Sequence, residues 1–394
     1  LKVLSLFSGI GAFEKALTNM EINYELAGFS EIDKYAITSY CAIHNVEESK
    51  NLGDVSKVDI ENIPNCDLVT YGFPCQDISI AGHQKGIIKG ETRSGLLYEA
   101  LRIIKDKKPK YAIAENVKNL VGKKFKDDFE GLLKELDDLG YNSYWQVLNA
   151  KDYGVPQNRE RVFVVSIRKD VDNGKFEFPQ PFDSELRLKD LLENEVDEKY
   201  YINKPYKLIS RKENNSVCKQ IAKVELNGHD YLKRVYDENY CSPTLPTGTG
   251  GNHEPKILEL GYFPYPNSDK KHQSNTFYSA EGLSQTLDTC QGGNRQMKIL
   301  EDFYKNRPTR EYTEYSPSLR AERQGLKIDN GSRVRKLTPL EYWRLMGFDD
   351  KDFYKAKETG MSNTQLYKQA GNSIVVNVIE EIYKILFKDY IKQL

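Results

Sequence analysis

The strongest constraint on this chain is the alternation, across residues 2–167, of short apolar runs with longer segments of helical period. Lys2–Phe7 reads as a buried strand, Gly9–Gly11 breaks it, and Ala12–Asn19 has a helical pattern. Tyr24–Glu31, Cys66–Tyr71, Tyr111–Glu115, Tyr144–Asn149 and Arg161–Ile167 read as further strands. Lys34–His44, Gly95–Lys107 and Phe125–Leu139 read as helices between them. Strands separated by helices of about ten residues or more predict an α/β domain, a parallel sheet with helices on both faces.

The rhythm is lost after Phe178. Residues 183–335 carry Tyr, Asn, Gly and short polar stretches, which predicts a smaller, irregular, β-rich domain. Helical patterning returns at Thr338–Met346, with Thr338 placed as N-cap and Pro339 at the first helical position. The apolar Ile374–Phe387 is expected to pack back onto the first domain. The boundaries expected are therefore 1–180, 181–335 and 336–394.

The 394 residues are 39% hydrophobic and 29% charged, which fits a folded globular chain rather than a disordered one. No run approaches the roughly 18 apolar residues of a membrane span. Leu1 stands where an initiator Met is usual, and no basic segment precedes Val3–Phe7, so no secretory signal is expected. Six cysteines at 41, 66, 75, 218, 241 and 290 form no Cys-x-x-Cys, and five histidines complete no zinc pattern. Reduced thiols in the cytoplasm and no metal are expected. The formal charge is −1, yet residues 201–340 hold 22 Lys and Arg against 16 Asp and Glu. That basic middle suits either phosphate contacts or ordinary solvated surface.

The middle also contains a repeat. Residues 242–259 (SPTLPTGTGGNHEPKILE) and 284–301 (SQTLDTCQGGNRQMKILE) match at 11 of 18 positions, and Tyr236 corresponds to Tyr278. Either this is a duplicated packing hairpin, or it supplies two loops in which Gly-Gly allows close approach and Thr, Asn, Gln and Arg meet base edges.

Candidate chemistry gathers at strand ends. Gly9 and Gly11 let the backbone turn tightly at a helix N-terminus, the nucleotide position of a doubly wound sheet. Glu31 ends the next strand and suits ribose hydroxyls, the alternative being the cap of the helix that begins near Lys34, a role that Asp33 fits better. Asp54, in Gly53-Asp54-Val55, suits an adenine amino group. These three loops point to an adenosyl ligand without a pyrophosphate. Gly72-Phe73-Pro74-Cys75-Gln76 places a thiol at the sheet's C-terminal edge, where a thiolate is a nucleophile and an isolated buried thiol is inert. Glu115-Asn116-Val117 and Gln157-Asn158-Arg159-Glu160-Arg161 bring a carboxyl and two guanidinium groups to the same edge. A helix cap for Glu115 and ion pairs of the arginines with Glu160 are the alternatives.

With these motifs in order, LFSGIG, SEIDKYA, GDV, GFPCQ, ENV, QNRERVF, RKLTPLEYWRLMGF and QAGNSIVVNV, the chain resembles the DNA cytosine-5 methyltransferases of bacteria and phages over nearly its whole length. The resemblance implies a Rossmann-like methyltransferase domain and makes 181–335 the target recognition domain. It implies transfer of a methyl group from S-adenosylmethionine to carbon 5 of a cytosine flipped out of a specific short duplex site. Cys75 would add to C6, Glu115 would supply a proton near N3, and Arg161 would bind O2. Arg159 would hold the Cys75 loop or a phosphate, and Asn116 would fix Glu115. The resemblance assigns the cofactor to Phe7, Gly9, Gly11, Glu31, Ile32, Asp54, Pro74, Leu96, Asn372 and Ser373. Ile32 stands where relatives often have an aromatic. Gln76 and Gln273 are assigned to the DNA, Gln273 as the side chain filling the gap left by the flipped base. The loop 76–92, with Gly82, Gly86 and Gly90, is expected to close over that base. The expected partner is double-stranded DNA, bound by a monomer away from membranes, with a cognate restriction endonuclease left open. A transfer-RNA-methylating relative, a DNA reader that no longer transfers, and a Rossmann-type oxidoreductase are the alternatives. The large variable region, the intact Cys75, Glu115 and Arg161, and the missing third fingerprint glycine count against them in turn.

Overall fold

The computed structural model describes residues 1–74, 78, 87–88, 93–186, 188–191, 193–200, 220–223, 234–236, 256–257, 277–279, 284–285, 298–302, 332–336 and 338–388. The chain divides into two compact units. One comprises Leu1–Leu191, Leu283–Gly293 and Pro339–Leu394, and the other Leu192–Gly282 and Asn294–Thr338.

In the first unit the strands are β1 (Lys2–Leu6), β2 (Glu25–Ser30), β3 (Leu68–Tyr71), β4 (Tyr111–Val117), β5 (Tyr141–Asn149), β6 (Gln157–Asn158) and β7 (Glu160–Arg168). Six of them form one sheet in the order β2-β1-β3-β4-β7-β5. The strands β1 to β4 run parallel to one another. The expected parallel sheet fails at β7, which runs antiparallel to both β4 and β5. The reason is chain length: Asn149 pairs with Glu160, and the short link between them has no room for a crossover helix. The two-residue β6 pairs instead in parallel with Ser284–Gln285.

Between the strands lie α1 (Ala12–Asn19), α2 (Lys34–His44), α3 (Leu97–Lys107) and α4 (Lys126–Asp138). A 3-10 turn, Arg93–Leu96, replaces the expected start of α3. The connections β1-α1-β2 and β3-α3-β4 step across the sheet in opposite directions, so right-handed crossovers put α1 and α3 on opposite faces. With helices on both sides, Ala112, Ile113 and Ala114 of β4 are all buried. The reversal falls between β1 and β3, and their carboxyl ends open a crevice there.

The C-terminal helices α5 (Pro339–Arg344), α6 (Asp350–Glu358), α7 (Asn363–Asn372) and α8 (Val376–Leu386) join this unit. The buried stripe Val378, Ile379 and Ile382 belongs to α8, which packs on α1. Lys15 of α1, itself buried, pairs with Asp349 at 2.9 Å and Asp352 at 2.8 Å, the two residues of the α6 capping box. Gln369 of α7 donates to the Tyr35 carbonyl at 3.0 Å and the Ser39 hydroxyl at 2.9 Å of α2.

In the second unit Val235 and Tyr236 pair in parallel with Lys256 and Ile257. Phe277 and Tyr278 pair in the same way with Lys298 and Ile299. Each residue of the second set stands 42 positions after its counterpart, which is the spacing of the sequence repeat. The repeat is thus a repeat of strand pairing as well as of residues. Most of its remaining positions lie outside the described residues. Thr338 donates its hydroxyl to the Glu193 carboxylate. Among the described residues no helix is long and apolar enough to cross a membrane.

Candidate active site

Three loops meet at the crevice. After β1 the backbone turns left-handed at Phe7 (φ 54°), Gly9 (φ 55°) and Gly11 (φ 81°). Gly11 is required twice over, because a Cβ there would also lie 2.1 Å from His44 Nε2. That ring is neutral, since burial pushes its pKa down to about 4, and its Nε2 lies 3.0 Å from the Ile10 carbonyl. A Cβ on Gly9 would meet nothing within 4 Å, so this turn borders free space.

Glu31 follows β2. Its Oε2 accepts from the Gly9 amide at 2.9 Å, and its Oε1 accepts from the amides of Ile32 (2.7 Å) and Asp33 (2.8 Å). The capping role open for Glu31 belongs to Asp33, which accepts from Tyr35 and Ala36 at the start of α2. Ile32 is 73% exposed. The third loop is stitched to the second by a residue the motif reading passed over. Asn51 Oδ1 accepts from the Glu31 amide (3.1 Å) and the Gly53 amide (3.0 Å), and its Nδ2 donates to the Glu31 carbonyl (3.1 Å). Ser30 Oγ donates to the Gly53 carbonyl at 2.6 Å. The Ser56 hydroxyl and amide hold the Asp54 carboxyl below its usual range.

The next strand end carries Gly72, Phe73 and Pro74. Cys75, Gln76 and Gln273 lie outside the described residues. The backbone leading to position 75 is gripped by side chains from elsewhere. Asn116 Nδ2 donates to the Phe73 carbonyl at 3.0 Å, and Ser94 Oγ donates to the Pro74 carbonyl at 2.8 Å. Asn116 therefore holds the β3 exit, not Glu115, because its amide faces across to β3. Ser94 sits in the turn whose partly buried Leu96 packs against the core.

Glu115 lies inside β4, two residues before its end, so it caps no helix. The register places Val117 opposite Arg161 and Glu115 opposite Phe163, which puts Glu115 and Arg161 on one face. Arg161 Nε reaches Glu115 Oε1 at 3.1 Å. Burial raises the Glu115 carboxyl above its ordinary value, against the pull of Arg161 and Arg159. A Cβ on neighbouring Gly72 would stand 3.8 Å from Glu115 Oε2, so the glycine leaves space beside the acid. Glu160 pairs with Lys118 at 2.8 Å and Arg161 with Glu115, so the alternative of an Arg161–Glu160 ion pair is not what forms.

Arg159, also buried, donates through Nη2 to the carbonyls of Gly371 (3.1 Å) and Ser373 (2.7 Å). These bonds turn Nη2 toward the end of α7, while the Cys75 loop, which Arg159 is expected to hold if it does not hold a phosphate, lies outside the described residues at position 75. They fix Ser373, which is buried, and the exposed Asn372 between them. Arg159→Ala strands two buried carbonyls, and unfolding stability should fall by about 2–4 kcal/mol. Thermal melting checks this, with Arg159→Lys expected to recover only part because it has one point charge in place of a fork.

The order of these elements has a counterpart. The family model described as "C-5 cytosine-specific DNA methylase" matches residues 1–388. The chain belongs to that family. It is 38% identical to the orphan methyltransferase M.SPBetaI of Bacillus phage SPbeta, over all of this chain and 99% of the phage protein. A type II methyltransferase of Bacillus subtilis strain 168, M.BsuMIIP, matches to the same extent. Among solved structures, the Entamoeba histolytica methyltransferase EhMeth superposes with a TM-score of 0.63 at 18% identity, over 99% of this chain and 98% of that one. The last likeness concerns the fold, a Rossmann-like α/β methyltransferase domain.

This is therefore a DNA cytosine-5 methyltransferase, of a family that uses S-adenosylmethionine. The crevice suits such a ligand. Gly9 borders space for it, and two loop carboxylates offer acceptors to hydroxyl and amino groups while repelling a phosphate chain. Among the described residues no group of three His, Cys, Asp or Glu side chains is placed to hold a metal.

Proposed function

We propose that the enzyme methylates carbon 5 of a cytosine flipped from a short specific duplex site, through a covalent bond between Cys75 and C6. The observation that carries this reading is the pair of buried Glu115 and partly buried Arg161, set on adjacent strands next to Gly72 and the backbone that leads into Cys75.

Carbon 5 of cytosine is a weak nucleophile. Addition of the Cys75 thiolate at C6 moves the ring's electron pair toward C5 and puts charge on N3 and O2. Glu115, raised by burial, supplies a proton at N3, and Arg161 meets O2. C5 then takes the methyl group from the sulfonium of S-adenosylmethionine, leaving S-adenosylhomocysteine. Loss of the C5 proton to a base, water being the simplest, expels the thiolate, and the N3 proton returns to Glu115. A stacked base gives a pocket thiol no access to C6, so the nucleotide turns out of the helix first.

Phe7, Gly9, Gly11, Glu31, Ile32, Asp54, Pro74, Leu96, Asn372 and Ser373 would line the cofactor site. Glu31 would take the ribose and Asp54 the adenine amino group. Gln76 and Gln273 would face DNA, and 181–335 would read the sequence through its repeated loops. The enzyme would act in the cytoplasm as a monomer, with any restriction endonuclease binding the same DNA independently.

Methyl-tritiated cofactor offered with duplex DNA, duplex RNA and transfer RNA tests the reading. Label is expected in DNA alone, and bisulfite sequencing of DNA from an expressing host should show protected cytosines in one short context. Label confined to RNA, or protection scattered without context, overturns it.

A further inference from the structure

We propose that Asn51 is a positioning residue for S-adenosylmethionine, fixing the spacing of the two loop acids, Glu31 and Asp54, on which the nucleoside would rest. The inference depends on the cofactor reading above and adds to it a residue that does not itself meet the ligand.

Glu31 and Asp54 leave the sheet on separate loops, with the whole of α2 between them. Their relation must be set by noncovalent contacts. Backbone pairing supplies a little: Phe29 bridges Asn51, and the Leu52 amide donates to the Phe29 carbonyl at 2.7 Å. Beyond that bridge both segments depart from regular pairing, and side chains take over. Asn51 grips both the amide and the carbonyl of Glu31 and also the amide of Gly53. An asparagine side chain has two donor hydrogens and about two acceptor lone pairs, so three of its four hydrogen-bonding places are filled by backbone. Ser30 closes the same junction from the other side through the Gly53 carbonyl.

The Glu31 carboxylate is held independently. Three amides, of Gly9, Ile32 and Asp33, occupy three of its roughly four acceptor places. Its orientation is thus set by the first loop and its own turn, whereas its backbone is tied to the third loop by Asn51. One acceptor place remains for a ribose hydroxyl, and its distance from the Asp54 carboxylate is the quantity Asn51 controls. Gly53, left-handed at φ 75°, makes that link inherently loose without the side-chain grip. A ligand touching both acids must then order the third loop as it binds, at the expense of affinity.

Isothermal titration with S-adenosylhomocysteine tests this on the whole chain. Asn51→Ala is expected to weaken binding by about 10- to 50-fold. The KM for S-adenosylmethionine should rise in proportion and by more than kcat falls. Affinity for duplex DNA by fluorescence anisotropy and the melting temperature without ligand should barely move. Asn51→Asp keeps both acceptor bonds and loses only the donor, so it should fall between wild type and Asn51→Ala. Unchanged S-adenosylhomocysteine affinity in Asn51→Ala, with wild type binding normally, overturns the positioning role alone. A parallel loss of DNA affinity and melting temperature overturns it as well, by making Asn51 a general support of the fold. Glu31→Ala and Asp54→Ala binding the probe as well as wild type does would overturn the cofactor reading instead.

Discussion

Cys75→Ser is expected to lower methyl transfer to duplex DNA by at least about 10³-fold while DNA affinity stays within a few-fold of wild type. The asymmetry follows from what a thiolate supplies. A serine hydroxyl is almost entirely protonated near neutral pH and adds to C6 far more slowly, yet it is nearly the same size and leaves the surface that meets phosphates unaltered. A second measurement isolates the bond itself. Duplex DNA carrying 5-fluorocytosine cannot lose a proton at C5, so wild type should remain attached to it after denaturation in the presence of cofactor. Cys75→Ser should release it. A serine variant that methylates at the wild-type rate, or a wild-type enzyme that never forms a denaturation-resistant complex, removes the nucleophile from the proposal.

The same proposal explains why some of this chain was readable in its residues and some was not. The β1, β3 and β4 strands are mostly apolar because both faces are covered, and such runs stand out in a sequence despite the buried Ser5 and Thr70. Asp33 was legible as the cap of α2 because capping is a contact between near neighbours. Glu115 was placed at the ligand edge because it lies toward the carboxyl end of a parallel strand, whereas Arg161 lies at the start of β7 and shares that edge only because β7 runs antiparallel. The direction of β7 was missed because strand patterning carries no sign; only the shortness of the link after Asn149 encodes the reversal.

The partners of Asn116 and Arg159, and Asn51 as a whole, escaped for another reason. Each bonds to backbone carbonyls or amides, and a backbone partner leaves no mark in the residue letters. Arg159 reaches Ser373 across more than half of the chain. Its motif neighbour Arg161, two residues on, faces Glu115 instead. Two arginines in one short motif thus divide between holding the C-terminal return and facing the acid: Arg161 is paired within β7, and Arg159 precedes that strand.

The register also makes Glu115 the residue with the most revealing second substitution. Glu115→Gln should reduce the single-turnover rate by about 10²- to 10³-fold, with cofactor and DNA affinities little changed. The amide keeps a donor for N3 but has no proton to give, so the loss measures proton transfer rather than shape. The pH dependence gives the sign. Burial raises the folded-state carboxyl above its ordinary 4.5, despite Arg161. In the proposed role the protonated form is the active one, so the wild-type rate should fall as pH rises through that raised value. Glu115→Gln should lack this limb, since an amide does not titrate. Stability moves in the same sense: the contribution of a carboxyl raised on folding is fully present below 4.5 and is lost as pH rises through the folded value. The stability of wild type relative to Glu115→Gln should therefore decline from acid toward neutral pH. Single-turnover rates and melting temperatures across that interval measure both trends. A limb at high pH that survives unchanged in Glu115→Gln would assign it to another group and leave Arg161 to stabilise the developing charge without an acid beside it.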